Sequence, residues 1–183
     1  MSDSVGKTDF VAFYSEFLPQ VYRYVRYRVV DTATAEDLTA TIFEKALRAW
    51  GRRRKPDAIA PWIFRIARNT VISHYRRRGR RLEVPLDCVE GKPSTESGPE
   101  ERVLYAERWE RIRDGIQALS PREQDIIALK FGSGLSNRAI APIVGTSKGN
   151  VAVILHRAMR KLYTHLEGDQ VRVATFERRI SYD

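Results

Sequence analysis

The chain has 183 residues, 43% of them hydrophobic, enough for one or two small cores, and a formal net charge of +9. A single cysteine, Cys88, excludes an internal disulfide and a cysteine-based zinc site. No apolar run approaches the roughly twenty residues of a membrane-spanning helix. The polar start, Met1 to Asp9, carries no secretory pattern, so a cytoplasmic protein without membrane contact of its own is expected. His74, His156 and His165 lack metal-ligand spacing, and neither metal nor cofactor is expected. Strand-type alternation is almost absent, which makes an all-α protein the expectation.

Phe10, Phe13, Tyr14, Phe17, Leu18, Val21, Tyr24 and Val25 keep a helical period with Pro19 inside it. This predicts two collinear helices or one kinked at the proline. Thr34-Ala35-Glu36-Asp37 reads as an acidic capping box opening a helix through Trp50. Leu38, Ile42, Phe43, Ala46, Leu47, Ala49 and Trp50 fall on one side of that helix, and Asp37, Thr41, Glu44 and Arg48 on the other.

The basic character is local. Gly51 to Arg81 holds eleven Arg or Lys against one acid, Asp57, so this stretch alone carries +10. A concentrated positive field is what a polyanion reads. Within it, Pro61 suits the first turn of a helix whose Ile63, Phe64, Ile66, Ala67, Val71 and Tyr75 form an apolar arc. Arg65, Arg68, Asn69, Ser73 and Arg76 form the opposite, cationic arc, flanked by Arg52-Arg53-Arg54-Lys55 and by Arg76-Arg77-Arg78. Phosphates would relieve the mutual repulsion of these cations. Trp62 is the candidate surface for stacking an unpaired base, because Phe64 and Tyr75 belong to the apolar arc.

Residues 79 to 99 are rich in Gly, Pro and Ser and read as a flexible, acidic linker. A helix is expected to resume near Glu100 and run past Tyr105, Trp109, Ile112 and Ile116 to Leu119. Ser120-Pro121-Arg122-Glu123 then has the cap, first-turn proline and closing glutamate of a new helix, with Ile126, Ile127 and Phe131 inward and Gly132 and Gly134 at its end.

Asn137 to Ile154 has a helix-turn-helix layout. Ala141 is small enough for close helix crossing, Gly145 allows positive φ at the turn, and Ile140, Val144, Val151 and Ile154 fill the wedge. Thr146 or Ser147 would cap the second helix. Its outward residues Ser147, Lys148, Asn150, Ala152, Val153 and His156 would face a major groove, with Arg157, Arg160 and Lys161 nearer phosphates. Pro142, inside the first helix of the pair, has no account at this level.

The segments Ala35 to Ala46, Pro61 to Asn69, Leu119 to Glu123 and Leu135 to Leu162 together resemble the extracytoplasmic-function (group 4) bacterial RNA polymerase sigma factors, over about residues 9 to 167. The resemblance implies 9–78 as sigma domain 2, 79–99 as linker and 100–167 as sigma domain 4; residues 1–8 are expected to be a disordered N-terminus, and 168–183 a tail beyond the resemblance. It implies core RNA polymerase and promoter DNA as partners, an anti-sigma factor as a further candidate, and no enzymatic activity. Asp37, Thr41, Glu44 and Arg48 would meet polymerase. Arg52, Arg53, Arg54, Lys55, Trp62, Arg65, Arg68, Asn69, Arg76 and Arg77 would bind the minus-ten element and its melted strand. Ser147, Lys148, Asn150, Ala152, Val153, His156, Arg157 and Arg160 would serve the minus-35 element. Ala40, Thr41 and Ala152 depart from the family's usual residues.

Two other classes remain open to the residues alone. A helix-turn-helix repressor or activator would bind duplex operator unaided and as a symmetric oligomer. A nuclease or recombinase would need clustered carboxylates, for which only Asp31, Glu36, Asp37 and Glu44 offer material.

Overall fold

The computed structural model describes residues 2–29, 31–52, 59–78 and 111–167. Every regular element among them is helical. α1 spans Ser2–Arg26, α2 Thr32–Ala49 with a 3₁₀ turn over Trp50–Arg52, and α3 Ile59–Arg78. Further along the chain come α4 (residues 111–117), α5 (Pro121–Ile127) running into a π-helical turn at Ala128–Gly132, α6 (Asn137–Val144) and α7 (Lys148–Glu167).

The period of the aromatic residues in α1 is dictated by what it buries. Phe13, Phe17, Val21, Tyr24 and Val25 are all inside, packed against Leu38, Ile42, Phe43 and Ala46 of α2 and Ile63, Phe64, Ala67 and Val71 of α3. Aromatic rings concentrate at one end: Phe13 lies 4.7 Å from Trp50 and 5.9 Å from Trp62 between ring centroids, and Phe10 meets Trp50 edge-on at 5.1 Å. Lys45 Nζ donates to Thr70 Oγ1 at 3.0 Å, pinning α2 to α3.

Several expectations are corrected, though α1, one helix that continues through Pro19, accords with the single-helix alternative; the exposed position of the proline leaves the hydrogen bond it cannot donate on the water side. Its backbone is helical from Ser2, where the first eight residues were expected to be disordered. The N-cap of α2 is Asp31, not Thr34: the Asp31 carboxylate accepts from the Thr34 N–H at 2.7 Å and from its hydroxyl at 2.6 Å. Those bonds, the hydroxyl's first, hold the Asp31 carboxyl below its ordinary range. Leu47, placed on the inner side of α2, is 55% exposed.

α5 to α7 form the second helical group. Ser120 and Glu123 close a reciprocal capping box, with Pro121 in the first turn as its fixed φ favours. The buried Gln124 amide donates to the carbonyls of Ile116 and Leu119, both at 3.1 Å, and satisfies the end of α4. Glu123 also accepts from Lys161 Nζ at 2.7 Å, tying α7 to the start of α5, so Lys161 is engaged in the fold. Burial alone would raise the Glu123 carboxyl, but the Lys161 and Ser120 donors outweigh it and keep the group below its ordinary value. Residues 79–99, together with Tyr105 and Trp109, lie outside the described residues.

Candidate nucleic-acid interface

The helix-turn-helix is built as its residues dictate. Ser136 caps α6 by accepting from the Ala139 N–H at 3.3 Å, and Gly145 ends it in the left-handed region at φ 67°. Ser147 caps α7, accepting from the Asn150 N–H at 3.1 Å, while Asn150 Nδ2 donates to Thr146 Oγ1 at 2.6 Å. Ile140, Ala141, Val151, Leu155, Ala158 and Leu162 are buried between the helices. Ser147, Lys148, Asn150, Ala152, Val153, His156, Arg157 and Arg160 are all exposed, along the N-terminal half and one flank of α7. The Asn150 amide is partly engaged by the turn, which leaves its carbonyl side to meet a partner.

α3 has the two expected arcs. Ile63, Phe64, Ala67 and Val71 are fully buried, Thr70 nearly so, and Tyr75 donates a short hydrogen bond to the Arg28 carbonyl. Arg65, Asn69, Arg76 and Arg77 are exposed. Trp62 is half-buried in the aromatic cluster, with Trp50 at 6.1 Å, so part of its surface already has ring neighbours. The side chains of Arg52, Arg53, Arg54 and Lys55 lie outside the described residues.

On α2, Asp37, Glu44 and Arg48 are exposed and Thr41 half-buried, on the side turned from the core. Glu44 and Arg48 pair at 2.5 Å, one helical turn apart. Exposure of both partners keeps such a pair weak and available for exchange.

Two cations of α3, exposed Arg65 and half-buried Arg68, are bonded to the second helical group. Arg65 Nη2 donates to the Pro142 carbonyl at 2.8 Å, and Arg68 Nε to Asp125 Oδ2 at 2.5 Å. Asp125 also accepts from the Tyr24 hydroxyl at 3.1 Å and lies 3.4 Å from Arg28 Nη2. Tyr24, Arg28 and Asp125 are each at most 2% exposed. Burial, then the Asp125 charge, pushes the Tyr24 phenol well above its ordinary value, so it stays a neutral donor. Sequence reasoning passed over this cluster. Its one local signal was polarity out of place: Asp125 heads the apolar run Ile126 to Leu129, and Arg28 stands between Tyr27 and Val29. No group suited to hold a metal ion occurs among the described residues.

Comparison with known proteins accords with this geometry. Residues 13–81 match the family model Sigma-70 region 2, and residues 109–162 match Sigma-70, region 4. The chain is 34% identical over 166 residues to the ECF RNA polymerase sigma factor BldN of Streptomyces coelicolor, covering 90% of this chain and 63% of BldN. It is 31% identical over 163 residues to the ECF RNA polymerase sigma factor SigL of Mycobacterium tuberculosis, covering 85% of this chain and 88% of SigL. In fold it is similar to the sigma factor RpoE of Bartonella quintana, solved in complex with the anti-sigma factor NepR, at a TM-score of 0.64 and 22% identity over 88% of this chain and 99% of that one. The chain belongs to the extracytoplasmic-function family of RNA polymerase sigma factors.

Proposed function

We propose that this chain binds core RNA polymerase in the cytoplasm, directs it to promoters through minus-35 and minus-ten elements, and assists strand separation. It acts by binding, without catalysis. One observation carries the reading: a single chain holds two nucleic-acid surfaces of different chemistry. The exposed start of α7 suits the edges of paired bases in a major groove. The cationic arc of α3, beside a half-exposed tryptophan, suits the phosphates and unstacked bases of a single strand.

Roles follow from position. Lys148 and Asn150 reach base edges, Ser147, Ala152, Val153 and His156 shape the contact, and Arg157 and Arg160 meet phosphates further along α7. Arg65, Arg68, Arg76 and Arg77, with Arg52 to Lys55 before them, neutralise the separated strand; Asn69 reads a base and Trp62 offers its free edge. Asp37, Thr41, Glu44 and Arg48 dock on polymerase. The domains run over 9–78 and 100–167. An anti-sigma protein is a further proposed partner, as for the RpoE relative.

Transcription reconstituted from core polymerase, this chain and a genomic fragment library tests the proposal. Specific initiation dependent on the chain is expected. Operator binding by a symmetric oligomer of the chain alone, with no initiation, would mean a helix-turn-helix repressor or activator instead.

A further inference from the structure

Cations that tie one helix to another in this protein meet an acid or a carbonyl. Lys161 meets Glu123, Arg28 and Arg68 meet Asp125, and Arg65 meets the Pro142 carbonyl. Lys45 of α2 is placed differently. Its Nζ donates to the Thr70 hydroxyl of α3 at 3.0 Å, and no carboxylate among the described residues pairs with it. A neutral amide would tie α2 to that hydroxyl equally well, so the bond alone gives no reason for a charge. An ammonium has three donors, Thr70 takes one, and Lys45 is exposed, which leaves two for an acceptor from outside the chain.

Position identifies the acceptor. Thr70 directly follows Asn69, the residue of α3 proposed to read a base, and Arg68 stands two residues back, about 200° round the helix. Arg65 and Arg68 are thus bonded on the side of α3 that meets α5 and α6, while Lys45 lies on the side that meets α2. Two turns beyond Thr70, roughly 10 Å along that same side, comes Arg77. It is exposed, and its bond among the described residues is to the Ser73 carbonyl of its own helix, at 3.3 Å. The α2 side of α3 therefore carries cations that no acid of the described residues neutralises.

We infer that Lys45 is a DNA-binding residue: its ammonium, held at the seam of α2 and α3 by Thr70, takes a phosphate of the separated strand beside the base that Asn69 meets. The strand then follows the seam from Lys45 toward Arg77, and the cationic surface extends from α3 onto α2. This rests on the reading of α3 as a strand-binding surface. Counting charge along the chain does not find Lys45, because it precedes the arginine-rich stretch and lies 25 residues before the threonine that positions it.

The test uses the full chain assembled with core polymerase. The probe is a short single-stranded DNA copied from the non-template strand just upstream of a start at which this holoenzyme initiates. Lys45→Gln keeps a donor for Thr70 and removes the charge. It is expected to weaken binding roughly tenfold, as for one lost hydrogen bond to a charged group, and to lower the slope of log affinity against log salt by about 0.7. Lys45→Arg is expected to keep the native slope. Thr70→Val removes the tie and leaves the cation, so its slope is also expected to stay native. Circular dichroism of each variant should match the native chain. A native slope in Lys45→Gln overturns the assignment, and so does an equal fall in Thr70→Val, which would make the pair a tie between helices and nothing more. Weaker binding of Lys45→Gln to core polymerase without DNA also overturns it and moves Lys45 to the protein interface. If the native chain supports no initiation, the strand-binding reading fails and takes this inference with it; initiation with an unaltered slope in Lys45→Gln removes Lys45 alone.

Discussion

Glu123 is a capping residue, an ion-pair partner of Lys161 and a titratable group at once. Its folded-state value lies below its ordinary 4.5, so the stability it contributes is complete above that value and is lost as pH falls through the folded one. Urea melts of the native chain and of Glu123→Gln should therefore differ at neutral pH and converge as acid carries the pH down through the lowered folded-state value of Glu123. Ser120→Ala, which leaves an N-terminal amide of α5 without its acceptor, should cost about 1 kcal/mol in the same melts. Gly145 poses a backbone question: at φ 67° an added Cβ has open space but the wrong side of the Ramachandran map. Gly145→Ala should destabilise the helix-turn-helix by roughly 1 kcal/mol, read as an earlier melt.

α3 and α7 divide the proposed work between strand and duplex. Replacing Arg65, Arg68 and Arg76 by Ala should reduce promoter opening by the holoenzyme and lower the slope of log affinity against log salt by about one unit for each phosphate left unneutralised. An unchanged slope would take α3 out of the interface. On α7 the two candidate readers should behave differently. Lys148→Ala should weaken minus-35 binding broadly. Asn150→Ala should shift base preference and also loosen the turn, because its amide holds Thr146. Both should leave affinity for polymerase intact, and its loss would reassign these residues to the protein partner.

The two helical groups share one cluster of buried hydrophobic residues, and Arg28, Arg68 and Asp125 meet beside it. Asp125→Ala deletes the carboxylate that compensates both arginines and should cost about 3–5 kcal/mol in urea melts. A negligible loss would mean that the arginines regain water or another anion once the carboxylate is gone.

Local chemistry was enough to write most of this protein. Helical periodicity placed α1, α2, α3 and the helix-turn-helix, because each buries one stripe and the stripe is visible as a repeat. Ser120, Pro121, Glu123 and Gly145 announced their turns, because caps act over three or four residues. The excess of arginine between Gly51 and Arg81 marked the proposed polyanion surface, because charge needs no fold to be counted. The π-helical turn, the outward Leu47 and the partners of Tyr24, Arg28 and Asp125 were decided only by tertiary structure. Those features join residues up to 101 positions apart, and no pattern along the chain states which distant carboxylate a given arginine will find.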